Sequence, residues 1–209
     1  MTFIRTLASI GLAALAAMSI SAAQANVISG SIWAVPDATA GNAAPASIPA
    51  APADITFSVN TPMDFSGDGV SRSTWLASSA AFNIVENTAG ALAALMSDGV
   101  TGTLLEFTGL VTVHNGDHFT VTHDDGLTLT IGGITVISEP GPTSPVLTDE
   151  TYTGPDGTFA FQLVYGECCS GPAVLQIDLP FTNVPEPASI AILGVALLGL
   201  GAVRRRLAA

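Results

Sequence analysis

The chain has 209 residues, 17 acidic against five basic side chains, and a formal net charge of −12 with histidine counted neutral. Between residues 26 and 184 the imbalance is sharper: 16 Asp and Glu face the single Arg72 and no lysine, a balance of 1 − 16 = −15. Such a surface excludes nucleic acid and anionic membrane as partners, because neither counterion release nor electrostatic steering can operate. It also leaves few ion pairs, so stability must come from burial and hydrogen bonding.

The first 25 residues carry a lone Arg5, an apolar run over residues 10–18 and a closing Ala23-Gln24-Ala25. That is the tripartite pattern of a secretory signal peptide cut before Asn26, with Ala23 and Ala25 as the small residues flanking the site. A first transmembrane helix fits less well, because Ser19, Ser21 and Gln24 interrupt a run that is already short. Residues 26–183 then make one domain by length. Residues 27–35 read as a strand, and the Pro/Ala-rich residues 36–53 show no apolar period, as in a loop or extended spacer. Residues 54–60 alternate, with Ile55, Phe57 and Val59 on one side. Residues 89–96 are the only helix-like stretch, one or two turns at most.

From Thr103 onward the alternation is regular. Leu105, Phe107, Val111 and Val113 share one parity, Phe159, Phe161, Leu163 and Tyr165 another, and Ala173, Leu175, Ile177 and Leu179 close the domain. Short alternating strands separated by Gly, Asn, Asp and Pro predict an all-β, antiparallel sandwich or barrel.

Two adjacent acids, Asp124 and Asp125, interrupt one such strand. If Asp125-Gly126 were a two-residue turn, the apolar side chains around it would scatter over both faces. A three-residue loop, Asp124-Asp125-Gly126, pairs His123 with Leu127, Val121 with Leu129 and Phe119 with Ile131, which keeps them on one face. Gly126 then takes the left-handed position of the loop. A following Gly132-Gly133 turn pairs Ile131 with Ile134 and Leu129 with Val136. The two aspartates are thereby expected on a loop tip, either solvated or sharing a hard cation that takes 6–8 oxygens.

The block GDHFTVTHDDGLTLTIGGITVI followed by GTFAFQLVYGECCSGPAVLQIDL resembles the protective-antigen-like β-sandwich of bacterial toxins, glycosidases and fungal flocculins. Phe107-Thr108-Gly109 fits that family's upstream strand, so the likeness spans most of residues 27–179. His118 and Phe119 depart from the family's usual aromatic pattern, and Gly133 stands where an Asp is common. The resemblance implies a jelly-roll-like fold and, through its lectin members, a calcium ion held by Asp124 and Asp125 that binds sugar hydroxyls. Two carboxylates supply too few ligands for such an ion. Backbone carbonyls and a second loop must contribute, and Glu167, just after Tyr165, is the nearest acid for the purpose.

His114, His118 and His123 crowd near the same loop, but strand parity sets His118 opposite His123, and no Cys/His spacing matches a zinc site. They read as solvated residues at strand ends. No Gly-x-Ser-x-Gly elbow, phosphate-cradling loop or nucleophile with an evident base is present, and no carboxylate pair is marked as that of a glycosidase. The reading is therefore not that of an enzyme. Cys168 and Cys169 are the only cysteines. In an oxidising exterior they can close a ring with each other, bridge two chains, or stay as free thiols.

The last 26 residues hold Pro185-Glu186-Pro187, an uncharged apolar stretch over residues 188–203, and Arg204, Arg205 and Arg206. The stretch is marginal for a membrane span, which needs about 20 residues, and the arginines would stay cytoplasmic. Triplet, span and basic cluster in this order resemble the PEP-CTERM sorting signal. That resemblance implies export, a transient inner-membrane anchor, and removal of the tail by a membrane cysteine protease, an exosortase.

Together these readings give three parts: a signal peptide with a helical core (1–25), a β-sandwich ectodomain (26–183), and a sorting tail with a transmembrane helix (184–209). The expected role is calcium-assisted binding of exopolysaccharide at the cell surface or in an extracellular matrix. A structural matrix protein without a specific ligand is the first alternative, and a glycan-processing enzyme the second.

Overall fold

The computed structural model describes residues 27–177 and Leu179. The signal-cleavage residues Ala23, Ala25 and Asn26, and the whole tail with Pro185, Glu186, Pro187 and Arg204 to Arg206, lie outside them. Among the described residues, no helix is long and apolar enough to cross a membrane.

Among the described residues, eleven strands form two antiparallel sheets. They are β1 (Val27–Pro36), β2 (Ile55–Asn60), β3 (Met63–Asp68), β4 (Phe82–Glu86), β5 (Thr101–Val113), β6 (His118–Asp124), β7 (Leu127–Ile131), β8 (Ile134–Glu139), β9 (Val146–Thr151), β10 (Gly157–Glu167) and β11 (Pro172–Ile177). One sheet has seven strands in the order β4-β2-β1-β5-β10-β7-β8, the other four in the order β3-β11-β6-β9. The alternation seen in the sequence is the alternation of burial: Leu105, Phe107, Val111, Val113, Phe161, Leu163, Tyr165, Ala173, Leu175 and Ile177 all face the core between the sheets. Each is apolar at every second position because each strand turns one face inward.

The helix lies elsewhere than expected. Residues 89–96 form turns rather than a helix, although Ala91 and Met96 are buried. Among the described residues the longest helix is α2 (Arg72–Ser78), following α1 (Asp37–Ala40). Ser71 caps α2 by accepting from the Thr74 N–H, which satisfies one of the donors that a helix start leaves free. Its Trp75 is fully buried, stacks on Phe65 at 4.1 Å and on Tyr165 at 5.9 Å, and donates from its indole N–H to the Ala173 carbonyl. Phe65 belongs to the small sheet and Tyr165 to the large one, so a single indole ties the layers together. The short helix exists to deliver it.

Residues 36–53 are not a spacer. α1 and a 3₁₀ turn over Pro45–Ser47 fold back on the outer face of the large sheet. They enclose a second small core of Trp33, Val35, Ala40, Ala43, Leu104, Val164 and Cys168. The Trp33 indole donates to the Ala51 carbonyl, and Asp54 accepts the Ala34 N–H, which fastens the segment's far end. Few large side chains mark this segment in sequence, since its alanines pack by being small.

The register of the central strands differs from the hairpin expected. β6 pairs with β11 and β9 in the small sheet, whereas β7 pairs with β10 and β8 in the large one. His123–Leu127, Val121–Leu129 and Phe119–Ile131 are therefore not cross-strand pairs, and Asp124-Asp125-Gly126 is a crossing between layers. Gly126 does not take a left-handed backbone. Its lack of a side chain is needed because a Cβ there would overlap the backbone of Pro140 and Gly141. Gly132 and Gly133 do form the two-residue turn, both with positive φ of 59° and 83°, and Ile131 pairs with Ile134. One residue later the register shifts at a bulge, so Leu129 faces Ile137 rather than Val136.

Gly126→Ala is expected to destabilise the protein by roughly 1–3 kcal/mol, the usual cost of overpacking. Gly133→Ala, where nothing lies within 4 Å of the new methyl, should cost about 1 kcal/mol through its positive φ alone. Urea unfolding of both variants measures the difference, and equal losses would refute the close-approach account of Gly126.

Candidate functional site

The crossing buries what was expected to be solvated. Asp124 and Asp125 are each 5 % exposed and Glu167 is 1 % exposed. Each of the three offers an oxygen within 4.8 Å of the others'. Asp124 ends β6 in the small sheet, Glu167 ends β10 in the large sheet, and Asp125 lies between the layers. The Asp124–Asp125 peptide is cis.

Backbone donors hold Asp125 from two sides. Thr143 N–H donates to its Oδ1 at 3.0 Å, and Cys168 N–H to its Oδ2 at 2.8 Å. Cys168 is joined to Cys169 in a disulfide between neighbours, and both Cys169 and Ser170 have positive φ. The ring thus closes the turn that presents the Cys168 N–H to the aspartate. Ala43 N–H donates to the Pro140 carbonyl at 2.9 Å, so the segment folded over the large sheet also braces the β8–β9 loop against the crossing.

His123 is buried at 1 % exposure, not solvated, while His114 and His118 lie at the surface beside Asp117 and Asp149. Its Nδ1 is 2.6 Å from the Asp125 carbonyl. A carbonyl only accepts, so Nδ1 carries the proton. In the neutral ring, Nε2 then accepts from the Thr148 hydroxyl at 2.9 Å.

Tyr165 completes the cluster. Its hydroxyl donates to the Asp124 carbonyl, and the same oxygen lies 3.2 Å from Glu167 Oε2. A phenol has one proton to give. Both contacts are hydrogen bonds at once only when Glu167 is protonated and donates to the phenol oxygen. Burial, then the neighbouring Asp125 charge, pushes the Glu167 carboxyl up to about 9, which supplies that proton. Burial and the Asp125 charge likewise push Asp124 up to about 6. Burial followed by the Glu167 charge raises the Tyr165 phenol well above its ordinary value. The cause throughout is low-dielectric burial of like charges, which disfavours the ionised forms.

The spacing suits a hard cation. Two oxygens on opposite sides of a calcium ion, each about 2.4 Å away, are about 4.8 Å apart, so the three carboxyl oxygens can reach one ion. Glu167, Asp124 and Asp125 would be the charged ligands, with waters and carbonyls completing the shell. Tyr165, Thr143 and Cys168 have no direct charge to offer and are placed to hold the carboxyls. No spacing rule in the sequence reveals them. Only the alternation that buries Tyr165 pointed toward one of the three.

The fold has relatives of known structure. It superposes on a PA14 sugar-binding domain from an RTX adhesin with a TM-score of 0.50 and 22 % identity, over 75 % of this chain and 90 % of that one. It matches the PA14 domain of the antifreeze protein MpAFP at a TM-score of 0.50 and 19 % identity, over 76 % and 84 %. The ectodomain is a PA14-like β-sandwich. Residues 183–206 match the PEP-CTERM protein-sorting motif, so this chain carries that signal behind the sandwich. No curated protein matches the sequence significantly.

Because the folded pKa values of Asp124 and Glu167 lie above their ordinary 3.8 and 4.5, the folded state holds extra protons between about pH 4 and 9. The stability this confers is complete below the unfolded pKa values and is lost as pH rises through about 6 and then about 9. In chelator the melting temperature should therefore fall from pH 5 to 9, and Glu167→Gln should remove most of the fall above pH 7. A melting temperature that stays level in the parent protein, or climbs, would contradict the buried-acid account.

Proposed function

We propose that this protein is an exported, calcium-assisted carbohydrate-binding module of the cell envelope or matrix, with exopolysaccharide as its ligand. The observation that carries the reading is the buried trio Asp124, Asp125 and Glu167 at one ion's spacing on a PA14-like frame. The adhesin domain of the same fold is described as sugar-binding, and this supports a glycan as the ligand class. The PEP-CTERM motif supports passage through the export machinery, recognition by an exosortase, and a temporary hold on the inner membrane. A non-enzymatic role fits a site whose carboxyls are committed to backbone donors and to one another rather than poised across an open cleft.

Calcium, when bound, would supply open coordination positions for a pair of sugar hydroxyls. The chain's residues do the rest. Thr143 and Cys168 orient Asp125, Tyr165 fixes Glu167, and β6 and β10 bring carboxyls from the two sheets to one point. Ion binding must displace the protons held on Glu167 and Asp124, so affinity should rise with pH across the range where those groups titrate.

A ligand bound only by the folded state stabilises it by mass action, about 2.7 kcal/mol at 100 times Kd. For a domain of this size that corresponds to a rise of roughly 5–10 °C in melting temperature. Millimolar calcium is expected to produce such a rise at pH 7.5. Asp124→Asn should abolish most of it while leaving the chelated protein about as stable as before, whereas Asp125→Asn should abolish it and also cost about 1–3 kcal/mol in chelator, because its amide NH2 would face a backbone N–H that Asp125 now accepts. A melting temperature indifferent to calcium would remove the lectin reading. Processing is checked separately by intact mass of the protein from the outer envelope or medium. A start at Asn26 and loss of Arg204 to Arg206 are expected, and a full-length chain retained in the inner membrane would refute the sorting account.

A further inference from the structure

A cleft of about 360 Å³ opens beneath the β8–β9 loop, and among its walls are His123, Glu139, Pro142, Thr143, Val146 and Thr148. It backs directly onto the acid trio. Thr143 donates its N–H to the Asp125 carboxylate and His123 donates from Nδ1 to the Asp125 carbonyl. The same two residues thus shape the cleft and hold the candidate ion ligand. The volume lies at the lower end of small-ligand sites, roughly 300–1,000 Å³. Pro140, Pro142 and Pro145 stiffen the loop that roofs it, so little ordering cost remains for a ligand to meet.

The lining has two chemical characters. Pro142 and Val146 offer apolar surface for the C–H face of a sugar ring. Glu139, Thr143 and Thr148 offer groups for hydroxyls, and the Thr148 hydroxyl is already oriented by His123 Nε2 at 2.9 Å. Charge restricts the ligand further. A divalent ion on three carboxylates leaves +2 − 3 = −1, and Glu139 at the cleft adds another negative charge. Among the described residues the only basic side chain of permanent charge is Arg72, which is 1 % exposed and donates inward to the Thr103 hydroxyl. Among the described residues no lysine and no exposed arginine is there to pair with a carboxylate, sulfate or phosphate on a glycan.

We infer that this cleft is a subsite for a pyranose residue without negative charge, neutral or amine-bearing, in the chain whose neighbouring residue binds the ion. The inference rests on the calcium-assisted carbohydrate reading above and adds to it a place and a charge class. Uronate-rich polymers are excluded as the preferred ligand.

The test uses the purified protein in calcium on an array of defined oligosaccharides in three classes: neutral hexoses, amine-bearing hexosamines and uronate-bearing sugars. The best binder is then titrated against hyaluronan oligosaccharides at 0.15 M salt. A neutral or amine-bearing glycan should bind at least 10-fold tighter than hyaluronan. Val146→Trp, which fills the cleft from an exposed position, should weaken it at least 10-fold, and Glu139→Gln should weaken an amine-bearing ligand more than a neutral one. Both variants should keep the full calcium-dependent rise in melting temperature. Equal or better binding of the uronate class overturns the inference. So does glycan binding that survives Val146→Trp unchanged, and in that case the calcium reading stands. Absence of both the calcium shift and any glycan binding removes the two together.

Discussion

Burial of like charge at the crossing between the sheets sets the conditions for the rest of the structure. Three carboxyl groups lie out of water with no lysine or arginine beside them. Each ionised carboxylate in such a place costs several kcal/mol unless it is paired. The protein meets that cost in one state by keeping protons on Glu167 and Asp124 and spending backbone N–H groups on Asp125. The surrounding pieces serve this arrangement. The Phe65–Trp75–Tyr165 stack fixes the phenol that meets Glu167, the neighbouring cysteines close the turn that offers Cys168 N–H, and Gly126 lets Pro140 and Gly141 close over the crossing.

That arrangement was legible in sequence at some residues and hidden at others, for identifiable reasons. Alternation revealed the strands and their buried faces, since period-two burial depends only on the strand itself. Gly132-Gly133 was legible as a turn because two positive φ angles leave few other residues possible. The partner of β6 was not legible. Val121 and Leu129 are both buried whether their strands pair side by side or face each other across the sandwich, so parity cannot distinguish the two. Choosing the hairpin put Asp124 and Asp125 on a solvated tip. The crossing places them inside, and with them His123, which its position at a strand end had suggested was solvated.

The association of Glu167 with the aspartates was reached by chain proximity to Tyr165 and by resemblance, without the pairing that explains it. β10 carries Glu167 to its end beside β7, and Gly166 N–H donates to the Gly126 carbonyl at 3.0 Å. That bond brings the end of β10 against the crossing. The segment 36–53 escaped for the opposite reason. Its contribution is made by small side chains and by carbonyls such as Pro140's that accept from its backbone, and neither leaves a periodic trace.

The scarcity of cations gives these features a common logic. With no lysine and one enclosed arginine, the ectodomain has almost no side chain able to neutralise a buried acid. A cluster such as Asp124, Asp125 and Glu167 is then left with two partners, protons or an ion from outside. Protons leave the two layers joined by the Tyr165 hydroxyl, which couples β10 to β6 through the Asp124 carbonyl while meeting Glu167 on its own strand. An ion would join the same strands through their carboxylates, which are stronger attractors once ionised. Either way a tie between the sheets passes through an acid cluster that the fold withdraws from water. A site built on such a tie makes ligand binding and the cohesion of the sandwich two aspects of one equilibrium, because whatever is gained at the ion is gained by the packing of β6 against β10.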